Sequence, residues 1–127
     1  MDQYALKLNP KKSAKVYGRA LRISTKSSVT VCKAISRKNL QKGKNLLQDV
    51  MTKKRSINGK YYDNVTKEIL SLLNSAEANA EFKGLDTGRM IIYASAHKGF
   101  GFMRPRRLKL RGMRRKMTNI QVVLLQK

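Results

Sequence analysis

The sequence has few of the residues on which most metal and nucleophile sites depend. It contains one cysteine, Cys32, one histidine, His97, and no tryptophan. A single cysteine cannot form a disulfide within the chain. One cysteine and one histidine are also too few for a zinc site of the Cys/His type or for a Cys-His nucleophile pair with a further ligand. These counts exclude a disulfide framework and a Cys/His metal centre, and we expect no cofactor.

Acidic residues and long apolar runs are also scarce. Against 29 Lys and Arg stand only 7 Asp and Glu, which gives a formal net charge of +22. Self-repulsion of this size favours a polyanionic partner, and a nucleic acid is a better candidate than a membrane surface or an acidic protein. Every uninterrupted apolar run is far shorter than the roughly 18 residues of a membrane span, and the N-terminus lacks the apolar core of a signal peptide. We therefore expect a cytoplasmic protein that does not insert into membranes.

The few carboxylates do not form a pattern typical of an active site. Glu77 and Glu81 are one helical turn apart and could in principle hold Mg²⁺, but no third ligand accompanies them. Pairs of surface acids at this spacing are common on helices. The sequence therefore disfavours a metal-dependent nuclease and, more generally, an enzyme.

The most distinctive part of the sequence is a basic segment between two strand-like stretches. Residues 90–94 and 120–125 are rich in β-branched, aromatic and aliphatic residues, which suit a half-buried sheet. Between them, 9 of the 21 residues in 97–117 are Lys or Arg and none is acidic. Glycines and a proline interrupt any helical pattern there. We interpret the whole as a long basic hairpin whose conformation depends on a partner, because it has few apolar side chains to bury.

The rest of the chain predicts a small body with one strand and three helices. Val16 to Ile23 has the character of a strand, with Leu21 and Ile23 on one face. Helices are expected after Ser24, after Asn39, and after Asp63 or Asn64, each of these residues acting as N-cap, and Gly84 supplies a left-handed stop for the third. The expected buried positions follow helical spacing: Val29, Cys32 and Ile35 in the first helix; Leu40, Leu46, Leu47, Val50 and Met51 in the second; and Val65, Ile69, Leu72, Leu73, Ala76 and Ala80 in the third.

This order of elements predicts an α+β fold. A three-stranded antiparallel sheet should pack against three helices, and its last two strands should extend as a long basic β-hairpin. We expect a single domain with a basic N-terminal arm (1–15), a globular body (16–96 and 117–127) and an extended hairpin (97–116).

The candidate nucleic-acid contacts are cationic or, for His97, able to hydrogen-bond or stack. Arginine is enriched in the hairpin, and its planar guanidinium binds phosphate bidentately and stacks on bases, which favours structured RNA. Interleaved apolar residues such as Phe100 and Met113 could form a hydrophobic spine, a base-stacking surface or ordinary hairpin packing. The RNA-binding candidates are Arg19, Arg22, Lys26, His97, Lys98, Arg104, Arg106, Arg107, Lys109, Arg111, Arg114, Arg115 and Lys116.

Five stretches in order resemble one family of ribosomal proteins. They are Arg19-Ala20-Leu21-Arg22-Ile23-Ser24, Asn-Leu-Leu-Gln-Asp-Val at 45–50, SAEANAEFKGLD at 75–86, Met103-Arg104 with Arg106 and Gly112, and Asn119-Ile120-Gln121-Val122-Val123. Together these stretches resemble the universal large-subunit ribosomal protein twenty-two family, called protein seventeen in eukaryotic ribosomes, and its archaeal and eukaryotic branch in particular.

The resemblance implies a structural component of the large ribosomal subunit. Its expected partners are large-subunit ribosomal RNA, neighbouring ribosomal proteins and the nascent polypeptide; no homo-oligomer is expected, and a eukaryotic member would pass through a nuclear assembly stage. The hairpin would line the exit tunnel, with a tip formed by Met103, Arg104, Arg106, Arg107, Leu108, Lys109 and Gly112. The alternative function is a free RNA- or DNA-binding regulatory protein.

Overall fold

The structure is a computed structural model, and it describes residues 4–103, 109 and 111–127. The first strand is followed by three helices, a short 3₁₀ turn and four more strands. In order they are β1 (Ser13–Leu21), α1 (Thr25–Ile35), α2 (Leu40–Met51), α3 (Asp63–Phe82), a 3₁₀ turn (Thr87–Arg89), β2 (Met90–Lys98), β3 (Phe102–Met103), β4 (Arg114–Arg115) and β5 (Thr118–Gln126).

The three long strands form one antiparallel sheet in the order β1-β5-β2. The last strand is therefore central: Val16 pairs with Val122 on one side, and Ala94 pairs with Val122 on the other. The three helices pack on one face of this sheet, with α1 and α2 against β2 and α3 against β1 and β5. The predicted α+β class and the three-stranded antiparallel sheet are both confirmed.

The core lies between the helices and that face of the sheet. Ile92 in β2, Ile120 and Leu124 in β5, and Ile69 and Leu73 in α3 are fully buried. Burial of side chains of this size stabilises the fold by roughly 1.5–3 kcal/mol each. Of the expected helical stripes, Val29, Leu46 and Leu72 are only partly buried, and Met51 is 40% exposed because it lies in the last turn of α2, past the face that meets the sheet.

Three of the predicted helix caps are confirmed in position and one is wrong. Ser24 is the N-cap of α1, although its side chain makes no capping hydrogen bond. Asp63 is the first helical residue of α3, and the N-cap is Tyr62 in a left-handed conformation. Asn39 does cap α2, because its side-chain oxygen accepts from the Gln41 N–H. Gly84, at φ +70°, ends α3 with the Gly84 N–H donating to Glu81 and the Leu85 N–H to Ala80, which is a Schellman arrangement.

Strand β1 begins earlier and ends earlier than the sequence suggested. It starts at Ser13, so residues 13–15 belong to the sheet, and Ser13 and Ala14 are buried. Its register shifts by one residue between Gly18 and Leu21, where Gly18 faces Ile120 and Leu21 faces Thr118. This β-bulge reverses the alternation of faces, and it turns Leu21 toward the core.

Candidate nucleic-acid interface

Strands β3 and β4 form a separate two-stranded sheet just beyond the paired ends of β2 and β5. The β2–β5 ladder ends at the pair Lys98 and Thr118, and the Gly99 N–H then donates to the Met117 carbonyl at 2.9 Å. Further along, Phe102 pairs with Arg115 and Met103 with Arg114. We call residues 98–103 and 113–117 the hairpin root. Because the root grows directly from two core strands, its basic side chains are positioned by the body.

The root and the start of α1 bring five of the predicted site residues around one cavity. This cavity, of about 340 Å³, also includes Ser24, Thr25 and the backbone of Gly99 and Gly101 in its lining. A neighbouring cavity is also lined by Arg114, Arg115 and Lys116, and its lining includes Arg22 as a further cation. The cations that line the first cavity are Lys26, Lys98, Arg114, Arg115 and Lys116.

The charge of this region is not neutralised by the described part of the chain. Neither of the two cavities has an acidic residue in its lining. The two ion pairs among the described residues, Lys44 with Glu77 and Arg89 with Asp86, lie elsewhere. Asp63 and Arg22 both line a third cavity, which includes no residue of the hairpin root. The hairpin root is therefore a concentrated positive surface that suits a polyanion.

The other predicted residues do not all join this group. Arg19 is exposed in the bulge of β1, and Lys109 and Arg111 are exposed on the hairpin. Gly112 adopts φ +65°, a conformation typical of a turn. Arg104, Arg106, Arg107 and Leu108 lie outside the described residues.

His97 lies apart from the cationic cavity, on the sheet face away from the helices. Its Nε2 is 3.3 Å from both the Tyr17 Oη and the Asn119 Nδ2. Because the Ala20 N–H donates to Asn119 Oδ1 at 2.8 Å, the Asn119 amide is oriented with its Nδ2 toward the histidine. His97 Nε2 therefore accepts a hydrogen bond from Asn119, and the ring is oriented by its contacts with Asn119 of β5 and Tyr17 of β1.

This outer sheet face carries residues that the sequence reasoning missed. Tyr4 packs edge-on against Tyr17 with ring centroids 6.1 Å apart, and the Lys15 ammonium lies 5.3 Å from the Tyr4 ring centre. The Ala5 N–H donates to Gln121 on the central strand, so the segment before β1 crosses the sheet. The signal was present, because Lys15, Tyr17 and Arg19 alternate along β1 and so share one face.

Three apolar side chains on the hairpin point to a contact surface rather than to internal packing. Phe100 is 77% exposed, Met103 62% and Met113 43%. Phe100 in particular has most of its ring free to stack, and aromatic rings next to cations are typical of single-stranded RNA contacts. Of the three interpretations left open by the sequence, a hydrophobic spine is disfavoured for these residues.

The described residues contain no group of three or more His, Cys, Asp or Glu side chains arranged to hold a metal ion. The Glu77 carboxylate forms an ion pair with Lys44 of α2 instead. No helix within the described ranges is both long and apolar enough to cross a membrane.

The family of the chain is decided by comparison with known proteins. The family model "Ribosomal protein L22p/L17e" matches residues 16–124. The chain belongs to the L22p/L17e family. Among its L22p/L17e relatives is the large ribosomal subunit protein uL22 of Archaeoglobus fulgidus, at 35% identity over 69% of this chain and 70% of the relative. The uL22 proteins of Methanopyrus kandleri, at 34% over 72% and 71%, and Pyrobaculum calidifontis, at 36% over 76% and 64%, are similar as well.

Membership of the L22p/L17e family agrees with the resemblance found in the sequence, and it establishes a structural constituent of the large ribosomal subunit that is not an enzyme. The region matched by the family model begins within β1 and ends within β5. It therefore includes all three helices and the hairpin.

Proposed function

We propose that this protein binds ribosomal RNA in the large subunit through its hairpin and the adjoining start of α1. The RNA-binding surface consists of Arg19, Arg22, Lys26, Lys98, Arg114, Arg115 and Lys116, and the basic hairpin beyond the root extends it. His97 contributes a separate hydrogen-bonding and stacking contact on the sheet face away from the helices. Neighbouring ribosomal proteins contact the body, the protein acts as a monomer, and its place is the cytoplasmic ribosome, after nuclear assembly if the source is eukaryotic.

The hairpin tip has a second proposed role, which is to line the tunnel through which the nascent polypeptide leaves. Its residues are Met103, Arg104, Arg106, Arg107, Leu108, Lys109 and Gly112. In support, the hairpin root follows directly from β2 and leads into β5, and Met103 is 62% exposed. Lys109 and Gly112, the other described residues of the tip, are exposed as well, which leaves them free for a contact outside the body.

One observation supports RNA binding most directly. Five cationic side chains surround a single cavity without an acidic residue in its lining, in a chain whose family is ribosomal. Like charges that converge in a folded protein repel one another, and a polyanion relieves that repulsion while gaining affinity through counterion release.

Sedimentation tests the ribosomal part of the proposal. The native protein should comigrate with large subunits after a wash at moderate salt. Purified protein should also prefer large-subunit RNA to an unrelated structured RNA of equal length, and its affinity should fall by orders of magnitude between about 50 and 200 mM salt. A protein found only in the light fractions, bound equally well by both RNAs, would instead indicate the alternative, a free RNA- or DNA-binding regulator.

A further inference from the structure

The cavity between the start of α1 and the hairpin root has the chemistry of a site for one phosphate group. We propose that it captures a single backbone phosphate of RNA and so fastens the hairpin root to α1. This inference rests on the proposed function, RNA binding, and adds to it a defined position on the protein. The cavity, at about 340 Å³, has room for a phosphate together with bridging water.

Arg115 gives the strongest indication of an anion site. Its Nε atom is buried, yet it has no hydrogen-bond partner among the described residues. A buried donor without a partner is unfavourable, so most such groups in folded proteins are paired. Arg115 lines this cavity and the neighbouring one. Because Nε itself is buried, a phosphate in the cavity would bind the part of the Arg115 guanidinium that lines it, and a small rotation of the side chain would bring Nε within reach of a second oxygen.

The remaining walls are cationic and come from separate parts of the chain. Lys26 lies in the first turn of α1, Lys98 ends β2, and Arg114 and Lys116 flank Arg115. Lys26, Lys98, Arg114 and Lys116 are all exposed, and none forms an ion pair with a described acid. Because these side chains are long and flexible, several of their cationic groups can reach one phosphate at the same time.

The start of α1 supplies a further source of positive potential. Ser24 and Thr25 line the cavity, and the first turn of this 11-residue helix contains no acidic residue. The Ser24 side chain makes no capping hydrogen bond, while the Thr25 hydroxyl is 2.8 Å from the Thr118 hydroxyl. The first-turn amides therefore have no side-chain cap from Ser24, and helix starts of this kind favour phosphate. The positive potential at the start of α1 adds to that of Arg115 and the four neighbouring cations.

The test uses the full chain labelled for NMR spectroscopy and two probes, inorganic phosphate and a fragment of large-subunit RNA. The signals followed are the Arg115 Nε–H and the backbone amides of Thr25 and Lys26. We expect RNA to shift all three signals in a saturable way. A response to RNA alone identifies the backbone phosphate as the ligand. A response to inorganic phosphate that RNA cannot compete away would overturn the proposal, because the cavity would then be a site for free phosphate.

Two variants and a matched control extend the test to affinity. R115M and K26A remove one cation from opposite walls, and each should weaken RNA binding at least about tenfold, the effect of a lost charged hydrogen bond. Each should also lower the slope of log affinity against log salt by about 1. R55M removes an arginine from an exposed loop away from the cavity and should leave the Arg115 and Lys26 responses to RNA intact. K26A lies on the helix, so it remains informative even if R115M disturbs the hairpin root.

The possible results separate this inference from the proposed function. Preferential binding of large-subunit RNA without any shift at Arg115, Thr25 or Lys26, and with unchanged affinity in both variants, would refute the phosphate site and leave ribosomal RNA binding in place. Equal binding of unrelated RNA by the unaltered protein would refute the proposed function, whatever happens at the cavity.

Discussion

Gly43 of α2 lies directly against Ile92 of β2, so a β-carbon on the glycine would overlap the Ile92 δ-methyl group. Both residues are buried, and Ile92 is fully so. A glycine inside a helix lowers the stability of the helix, and this contact shows what Gly43 permits, which is close packing of α2 on β2. The distance between α2 and the sheet is set at this contact.

Gly43→Ala should therefore destabilise the protein by about 1–3 kcal/mol, because a core with no free space must shift to admit a methyl group. Helix propensity alone predicts the opposite, a gain of about 1 kcal/mol. Urea unfolding measures the difference. Adding Ile92→Val, which removes the overlapping methyl, should recover part of the loss. Stabilisation by Gly43→Ala alone would show that α2 can move away from the sheet.

The bulge in β1 gives a prediction of the opposite sign. Ala20 has φ +52° and contributes its N–H to Asn119. A non-glycine residue in this conformation is strained by roughly 1–2 kcal/mol. Ala20→Gly should raise the free energy of unfolding by up to about 1 kcal/mol once the added flexibility of the unfolded chain is subtracted. The control is Ala78→Gly on the exposed side of α3, where the same change should destabilise by about 1 kcal/mol. Loss of stability in both variants would contradict the left-handed geometry at Ala20.

The thiol of Cys32 should be inert in the folded protein. Burial raises the pKa of Cys32 from 9.0 to about 12, so almost no thiolate forms at neutral pH, and the thiolate is the reactive species. A thiol reagent at pH 8 should label the chain only as fast as it unfolds, and rapid labelling under native conditions would contradict this. The folded state retains the proton more strongly than the unfolded state. The stability that this residue contributes is therefore complete below pH 9 and declines as the pH rises toward 12.

His97 should carry its proton on Nδ1 when it is neutral. The Asn119 Nδ2 group donates to His97 Nε2, which must then be unprotonated. Nitrogen-15 NMR at a pH above 8 distinguishes the two tautomers. Asn119→Asp removes the donor and should shift the population toward the Nε2–H form, while Tyr17→Phe removes only the second neighbour and should shift it less. A histidine already in the Nε2–H form in the unaltered protein would contradict the arrangement.

The proposed tunnel role can be separated from RNA anchoring by shortening the hairpin. Met103 and Arg114 face each other across the root, so an Asn-Gly pair in place of residues 104–113 should close a two-residue turn. The shortened protein should fold, enter large subunits and leave peptidyl transfer unaffected, but crosslinks between the hairpin and the nascent chain should be lost.

Its control keeps the length of the hairpin and removes the same five positive charges, by changing Arg104, Arg106, Arg107, Lys109 and Arg111 to Gln. Crosslinks retained in this variant and lost in the shortened one would show that the length of the hairpin, rather than its charge, places the tip in the tunnel. Normal crosslinks in the shortened protein would refute the tip assignment.

The sequence predicted the features that depend on periodicity and on single strongly constrained residues. The stripe of α3, the Asn39 cap and the Gly84 stop are local properties, and all are confirmed by the buried and capped positions. Asn58 and Gly59 likewise form a turn that their own residue types favour, with φ of +51° and +76°. Each of these features depends only on residues that are close together in the sequence.

The features that were missed depend on distant parts of the chain. A strict two-residue alternation would place Leu21 with Tyr17 on the outer face, and only the pairing with Thr118 shows that a bulge reverses it. Likewise, Lys26 was predicted as an RNA-binding candidate together with Arg19 and Arg22, but its neighbours on the hairpin were not predicted. Its convergence with Lys98 and Arg115 follows from the position of α1 beside the hairpin root, which no local pattern records.

The central position of β5 has a consequence for how the protein is made. Both other strands of the sheet pair with β5, yet it follows every other described element in the chain. Pairs such as Ser13 with Leu125 join residues more than 100 positions apart. The sheet therefore cannot close while the C-terminal segment is still inside the ribosome, and the entropy of closing such a long loop delays it further. Helices α1, α2 and α3 all precede β5 in the chain and leave the ribosome before it. A newly made chain thus exposes the apolar faces of its helices before the sheet that covers them is complete.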